Sequence, residues 1–426
     1  MDYGQLLARL YAARRGGAVL ELDRVARALA KLGDVRRALP LVVQVGGTNG
    51  KGSTAAFCES MLREAGAVTG FFSSPHLSRI EERFTLGGEL ASEDAVLAAG
   101  EAVAAVDGEG ELTFFEQVTL IAAVLFAQAK VDVAIFEVGL GGRLDATTAL
   151  GSEVAAVTGI AFDHTAILGD DIPSIAREKA GIFRPGQRVV LGCAGRAEAL
   201  PLLEEAAERA GAASVRRVGE DDVAALAGAT LGLRGGHQRQ NAACAVALVD
   251  AITAAGGPVI SEGERLRGLA RARFPGRMEE VGSAPRIVLD GAHNPDAAEA
   301  LASALADVPR ERLIAVVGGS ADKDMAAVVG PIAALADVIV ATAAANERAL
   351  PAEGVATIAG RVAPHARIEV EGSVADAVDR ARSIARPEDA IVVMGSLFVV
   401  GEARRAVVGG LADPLPLSDP PVTAPR

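Results

Sequence analysis

Val42-Val-Gln-Val-Gly-Gly-Thr-Asn-Gly-Lys-Gly-Ser-Thr54 is a β-branched apolar run that breaks into a glycine-rich turn bearing one lysine and then enters a helical pattern. A strand that ends in such a turn and feeds a helix aims several backbone N–H groups and the positive end of a helix dipole at one point, which makes an anion cradle. Lys51 adds a full charge there. The usual phosphate-loop pattern G-x-x-x-x-G-K-[ST] fails twice, because Val45 holds the place of the first glycine and Gly52 follows Lys51. The stretch is therefore a variant cradle. Its bland alternative is a plain strand-to-helix turn with a solvated lysine, but three glycines around a lysine are a specific and entropically costly choice.

The rest of the chain gives this cradle a large setting. With 426 residues, 50% hydrophobic and 23% charged, the sequence suits two α/β domains, each with a core of its own. Aromatics make up only 3% and tryptophan is absent, so Ala, Val, Leu and Ile fill the cores and a base-stacking surface is not expected. A formal charge of −13, from 55 acidic and 42 basic residues, opposes nucleic acid and acidic membranes as partners. Cys58, Cys193 and Cys244 are far apart in sequence, lack metal-type spacing and suit a reducing compartment. The Met-Asp-Tyr-Gly start has no secretory pattern, and no window reaches the ~20 apolar residues of a membrane span. A cytoplasmic protein is the expectation.

Periodicity places helices over Tyr3–Arg15 and Leu22–Leu32, the cradle strand and its helix to about Ala65, and a short strand at Ala67–Phe72. A long apolar helix opens at Leu112-Thr-Phe-Phe-Glu116, and strands follow at Val131–Val138, Val154–Ile160 and Arg188–Gly192. Residues 211–236 read as an irregular connection before a helix from about Gln240 to Ala255. Phe274-Pro-Gly-Arg277 through Gly282-Ser-Ala-Pro285 reads as a linker. Beyond it, Arg286–Asp290, Arg312–Val317, Asp337–Ala341, Ala366–Val370 and Ala390–Met394 repeat the strand signal. The expected architecture is a nucleotide-type domain over residues 1–282 with a mostly parallel sheet, a smaller Rossmann-like α/β domain over 283–412, and a flexible tail over 413–426 rich in proline. In such sheets ligands lie at the carboxyl ends of the strands.

The polar clusters fall just after strands. Ser73-Ser74-Pro75-His76 and Glu137 end two of them, and hydroxyl and carboxylate oxygens are what Mg²⁺ takes beside phosphates. Ser74 taken alone reads as a turn residue, whereas a carboxylate such as Glu137 at the end of an apolar strand is costly to bury unpaired. Gly139-Leu-Gly-Gly-Arg-Leu-Asp145 reads as a functional loop or as a solvated turn. For Asp163-His164 and Arg177-Glu-Lys-Ala-Gly181 the spacing alone favours a structural reading, a hydrogen-bonded histidine and an exposed helical charge cluster. Val288-Leu-Asp-Gly-Ala-His-Asn-Pro295 repeats the strand-then-polar-loop device in the second domain.

In order, Gly47-Thr-Asn-Gly-Lys-Gly-Ser53, Ser73-Ser-Pro-His-Leu77, Phe136-Glu-Val-Gly-Leu-Gly-Gly-Arg-Leu-Asp-Ala146, Asp163-His-Thr165, Arg177-Glu-Lys-Ala-Gly-Ile-Phe183 and Asp290-Gly-Ala-His-Asn-Pro295 resemble the dihydrofolate synthase and folylpolyglutamate synthase family, a branch of the Mur ligases. The resemblance runs from about residue 18 to about residue 400. It implies an ATP- and Mg²⁺-dependent amide ligase, working as a monomer, that activates a substrate carboxylate as an acyl phosphate and captures it with the amine of L-glutamate. By position, Thr48, Asn49, Gly50, Lys51, Gly52 and Ser53 would hold phosphates, with Asn241, Arg277 and Asp290 as further ATP contacts. Ser74, Glu137, His164 and a carbamylated Lys179 would be metal ligands, and Lys51, Lys179 and His164 the catalytic set. Thr113, Phe114, Phe115 and Glu116, with Leu144, Asp145 and Ala146 and more loosely Ala18-Val-Leu20, would bind the pterin of dihydropteroate or folate. Arg83, His293 and Ser396 would bind glutamate. Around residue 20, Glu-Leu-Asp-Arg departs from the family's usual Gly-Leu-Glu-Arg.

Other readings are a folylpolyglutamate synthase alone, another Mur-type amide ligase, a P-loop NTPase, or a non-catalytic nucleotide-binding protein. An NTPase would not need Asp290 and His293 from a second domain. A murein-precursor ligase carries a whole domain ahead of the cradle, where this chain has about forty residues.

Overall fold

β1 (Val42–Gly46) is buried along its whole length, as a strand covered on both faces must be, and the two sheets of the molecule are arranged around it and its counterpart in the second half. The computed structural model describes residues 1–13, 21–33, 35–108 and 110–413. The first sheet also contains β2 (Thr69–Phe72), β3 (Phe84–Leu86), β4 (Glu89–Leu90), β5 (Val133–Glu137), β6 (Val154–Ile160), β7 (Arg188–Gly195) and β8 (Ser214–Arg217). Its order is β4-β3-β2-β5-β1-β6-β7-β8, parallel except for the β2-β3-β4 edge. β1 pairs with β5 on one side and β6 on the other, so the carboxyl tips of these three strands present their loops together.

The second sheet holds β9 (Glu279–Ser283), β10 (Arg286–Leu289), β11 (Leu313–Val317), β12 (Val338–Ala341), β13 (Arg367–Val370) and β14 (Ala390–Met394), in the order β13-β12-β11-β14-β10-β9. Only β9 is antiparallel, forming a hairpin with β10. Apolar side chains cover both faces of each sheet, which suits a composition poor in aromatics.

Three expectations change. Residues 211–236 are more regular than their composition suggests: they contain the edge strand β8 and a short helix, Glu220–Ala225. β8 carries Ser214 and two arginines and is mostly exposed, so it has no apolar run to announce it. Gly282-Ser-Ala-Pro285 belongs to the β9–β10 hairpin and is not a linker: Gly282 and Ser283 end β9 and Ala284-Pro285 make the turn, so that sheet begins at Glu279, ahead of the expected boundary at residue 282. Asp413 is anchored, its N–H donating to the Ser78 carbonyl at 3.0 Å, while the remaining tail from residue 414 and the segment Ala18-Val-Leu20 lie outside the described residues.

The helix Lys51–Glu64 packs its apolar face on the first sheet, with Phe57 fully buried among β1, β5 and the helix Gln238–Ala254. Truncating this ring leaves a cavity that close-packed neighbours fill only in part, so Phe57→Ala is expected to cost ~3–5 kcal/mol. Chemical denaturation of the variant checks this, and a loss below about 1 kcal/mol would remove Phe57 from the core.

Candidate active site

The turn after β1 owes its shape to missing side chains. Gly47 sits at φ +134°, and a Cβ there would lie 2.1 Å from Thr158 Oγ1. Gly50 caps the helix at φ +84°, where a Cβ would meet Asn241 Oδ1 at 2.2 Å. At Gly52 a Cβ would fall 2.4 Å from the Phe274 ring and 3.2 Å from Glu137 Oε2. The second departure from the usual phosphate-loop pattern thus has a steric cause: Phe274 and Glu137 take the space that a Ser or Thr would need. Lys51 Nζ donates to the Thr48 carbonyl at 3.1 Å, and Thr48 Oγ1 bonds to both the N–H and the carbonyl of Ala161, which ties the turn to the end of β6.

This cradle opens into a cavity of about 750 Å³ that draws its lining from both sheets. Among the described residues, all those assigned by position line it except Arg83 and Phe114. Phe114 is 1% exposed and stacks on Tyr11 with ring centroids 5.6 Å apart. Arg83, also 1% exposed, lays its guanidinium 5.1 Å from the Phe114 ring centre and donates to His76 Nδ1 at 2.8 Å. Both are therefore framework behind the cavity, and neither offers a surface to pterin or glutamate.

Glu137, at the tip of β5, is 4% exposed, and its Oε2 accepts from the Ser74 N–H at 3.3 Å. Burial pushes its carboxyl above the usual range, against the opposing charges of Lys51 and Arg277. Lys179, on the helix Ile172–Ala180, is 5% exposed and donates to the Gly47 carbonyl at 2.9 Å. Burial, with the charge of Lys51 adding to it, pulls its amine down to about 7. A lysine held this way is a donor to the cradle backbone, and only a carbamate at its Nζ would offer oxygen to a metal.

Among the described residues no three His, Cys, Asp or Glu side chains gather closely enough to hold a metal ion by themselves. Ser74 and Glu137 do supply hard oxygens at the cavity wall, and these fit a Mg²⁺ shared with phosphates and water better than an all-protein cage. His164 stands apart in character. It adopts a left-handed backbone at φ +50°, its Nε2 lies 3.9 Å from Asp163 Oδ1, and burial lowers its imidazole to about 4.

Thr113 and Glu116 form a reciprocal cap at the start of the helix Phe114–Ala129, and Glu116 also accepts from Arg24 at 2.9 Å. Asp145 accepts from the N–H groups of Gly139, Leu140 and Thr147, and so folds the loop after β5. With these polar groups engaged, Phe115, Leu144 and Ala146 are the apolar part of that wall.

From the second sheet, Asp290 at the tip of β10 accepts from the N–H groups of Met278 and Ala292, each at 2.9 Å. His293 Nδ1 donates to the Gly291 carbonyl at 2.8 Å, leaving Nε2 3.4 Å from Asp163 Oδ2. Asp163 is where the two halves meet. Besides His293 it pairs with Lys323 and accepts from Asn294 Nδ2 at 3.1 Å, and Asn294 also exchanges two hydrogen bonds with Asn49 of the cradle. Burial opposes the Asp163 charge, but the hydrogen bond from His293 and the charges of His293, His164 and Lys323 hold it well below the usual carboxylate range. Lys323, His237 and Gln238 also line the cavity and went unassigned in the sequence. The signal for Lys323 was present: Gly318-Gly-Ser-Ala-Asp-Lys-Asp324 follows β11 in the same strand-then-polar-loop manner.

Comparison with known proteins defines the class first. Residues 45–249 match the Mur ligase middle domain, and residues 276–397 match the Mur ligase glutamate ligase domain. The dihydrofolate synthase/folylpolyglutamate synthase of Escherichia coli K12 is 37% identical, with 91% of each chain covered. A probable bifunctional folylpolyglutamate synthase/dihydropteroate synthase of Haloferax volcanii is 38% identical over 96% of this chain, which spans about half (51%) of that relative's length. The structure of E. coli FolC in complex with DHPP and ADP superposes with a TM-score of 0.86 at 35% identity, covering 96% of this chain and 98% of that one. The Yersinia pestis bifunctional enzyme complexed with AMPPNP and Mn ion gives 0.83 at 34% identity, covering 96% and 98%. The chain belongs to the dihydrofolate synthase/folylpolyglutamate synthase branch of the Mur ligases.

Gly52→Ser would restore the usual phosphate-loop residue, yet it is expected to weaken ATP binding by at least about tenfold, because its Cβ displaces Phe274 or Glu137. Isothermal titration with ATP checks this. Adding Phe274→Ala should recover part of the loss, and undiminished binding by the single variant would show that the ring yields without cost.

Proposed function

We propose that this chain is an ATP-dependent ligase that adds L-glutamate to dihydropteroate and to reduced folates. The observation that carries the reading is that the glycine cradle of the first sheet and Arg277, Asp290, His293 and Ser396 of the second half line one cavity. An NTPase alone would need only the first. The matched family domains and the relatives crystallised with ADP, DHPP, AMPPNP and Mn ion support ATP, a pterin carboxylate and a divalent ion as its ligands.

In the proposed reaction a substrate carboxylate oxygen attacks the γ-phosphorus and ADP leaves. The amine of glutamate then attacks the acyl-phosphate carbon, loses a proton, and inorganic phosphate departs as the amide forms. Lys51 and the cradle N–H groups balance the phosphate charge as it shifts. Phe115, Leu144 and Ala146 seat the pterin, and His293 and Ser396 face the incoming glutamate. A bound Mg²⁺, held by Ser74, Glu137 and phosphate oxygens, would neutralise charge on the transferring phosphate. Lys179, as a carbamate, would contribute oxygens beside it. We read the enzyme as a cytoplasmic monomer that engages no nucleic acid, which its free cysteines and net charge of −13 support. Among the described residues no helix is long and apolar enough to cross a membrane.

Incubating the protein with ATP, Mg²⁺, L-glutamate and dihydropteroate should yield dihydrofolate by mass, and a reduced folate should gain further glutamates. Consumption of glutamylated folates alone would reduce the reading to a folylpolyglutamate synthase. ATP hydrolysis indifferent to glutamate would overturn it.

Lys179 gives a second test. Its folded pKa of about 7 lies below the ordinary 10.5, so between these values the unfolded chain holds more protons and this group's contribution to stability rises with pH. The neutral amine, the form that attacks CO₂, becomes the major form above about 7. Activity at limiting bicarbonate should therefore rise through that pH, and ¹³CO₂ should give a carbamate resonance that is lost in Lys179→Ala. That variant should be crippled and partly rescued by small carboxylates. Unchanged kinetics in Lys179→Ala would return the residue to a structural role.

A further inference from the structure

The loop that carries Ser74 continues through His76 and Leu77 to Ile80, and it is held from both halves of the molecule. Leu77, contributed by the first half, is 6% exposed and sits in the apolar cluster of the second sheet with Leu289, Val399 and Val400. Gly401 packs so closely there that a Cβ would lie 2.1 Å from the Leu77 carbonyl oxygen.

Asp413 then closes a directional chain of hydrogen bonds on the same loop. Its N–H donates to the Ser78 carbonyl at 3.0 Å, and its Oδ2 accepts from the Ile80 N–H at 3.0 Å and the Tyr11 hydroxyl at 2.9 Å. The Tyr11 oxygen lies 3.2 Å from His76 Nε2, and His76 Nδ1 receives Arg83 Nε–H at 2.8 Å. A guanidinium can only donate, so Nδ1 accepts and a neutral ring carries its proton on Nε2, aimed at Tyr11. Every member then points the same way, from Arg83 to Asp413. The Arg83 carbonyl in turn accepts from the Ser73 N–H at 3.1 Å, next to the residue whose own N–H meets Glu137.

We propose that Asp413 is a positioning residue for ligation: reaching from the end of the second half, it locks Tyr11, His76 and Arg83, and through them the loop that sets Ser74 against Glu137. The position of the second half is thereby passed to the phosphate end of the cavity. For its kinetic readout this rests on the ligase reading; for its structural readout it does not.

The test compares Asp413→Ala, Asp413→Asn, Tyr11→Phe and the double Tyr11→Phe/Asp413→Ala. Asp413→Ala should lower kcat for glutamate-dependent ADP release by at least about tenfold, with KM for ATP within about twofold because the cradle is untouched. Asp413→Asn should stay near wild type, since an amide oxygen accepts both bonds. Tyr11→Phe should match Asp413→Ala, and the double variant should add nothing further. Amide hydrogen exchange over residues 76–80 should quicken in Asp413→Ala and not in Asp413→Asn. Wild-type kcat and exchange in Asp413→Ala, or an equal loss in Asp413→Asn, overturns the proposal; if Asp413→Ala does not fold, Tyr11→Phe takes its place in both measurements. A wild-type chain without glutamate-dependent ADP release would sink the ligase reading, and the exchange result would still decide the role of Asp413.

Discussion

A buried carboxylate reached by a lysine and a histidine from the other half of the molecule is the constraint on which the cavity depends. Asp163 lies in the loop after β6 with its side chain 8% exposed, and Lys323 and His293 come to it from the second half. A carboxylate taken out of water without partners loses several kcal/mol, and so does a buried ammonium. Each therefore needs the other, and the geometry that satisfies them also turns Arg277, Asp290 and Ser396 toward the cradle. The Asn49–Asn294 pair, bonded in both directions, bridges the same two halves. An active site divided between two sheets is assembled here by charge that neither could bury alone.

Inside that enclosure burial acts on two groups in opposite senses. It holds the Glu137 carboxyl up and the Lys179 amine down, each toward its neutral form. Lys51 acts in one sense on both, opposing burial at Glu137 and adding to it at Lys179. The cradle glycines make this possible by bringing backbone where side chains would otherwise stand. Gly47 lets its carbonyl meet Lys179, and Gly52 leaves room for Phe274 beside Glu137.

Much of this was legible in the residues. The buried β1 run, its glycine turn and the polar loops after later strands placed the tips of β1, β5 and β6 together, because parallel strands of one sheet expose their chemistry at one end, whereas the polar loop after β10, in the other sheet, was joined to the cradle only through the family resemblance. What escaped had physical reasons. β8 is an exposed edge whose arginines carry no apolar period, and β9, Glu-Glu-Val-Gly-Ser, is a partly exposed edge strand with a single apolar side chain beside its glycine. Lys323 could not be joined to Asp163 across 160 positions of sequence without knowing how the halves dock. Phe114 and Phe115 are adjacent and alike in chemistry. Helical geometry alone sends one into the core beside Tyr11 and the other to the cavity wall.

The chain has two tyrosines and no tryptophan, and both tyrosines, Tyr3 and Tyr11, lie on the helix Tyr3–Ala12. Tyr11 is 6% exposed, with its hydroxyl between His76 and Asp413, while burial raises the Tyr3 hydroxyl well above its ordinary range. The near-ultraviolet absorbance and emission of the whole protein thus arise largely from one helix, and half of those chromophores sit in the hydrogen-bond chain that joins the two halves. Without any label, the enzyme carries an optical reporter at the joint between its halves.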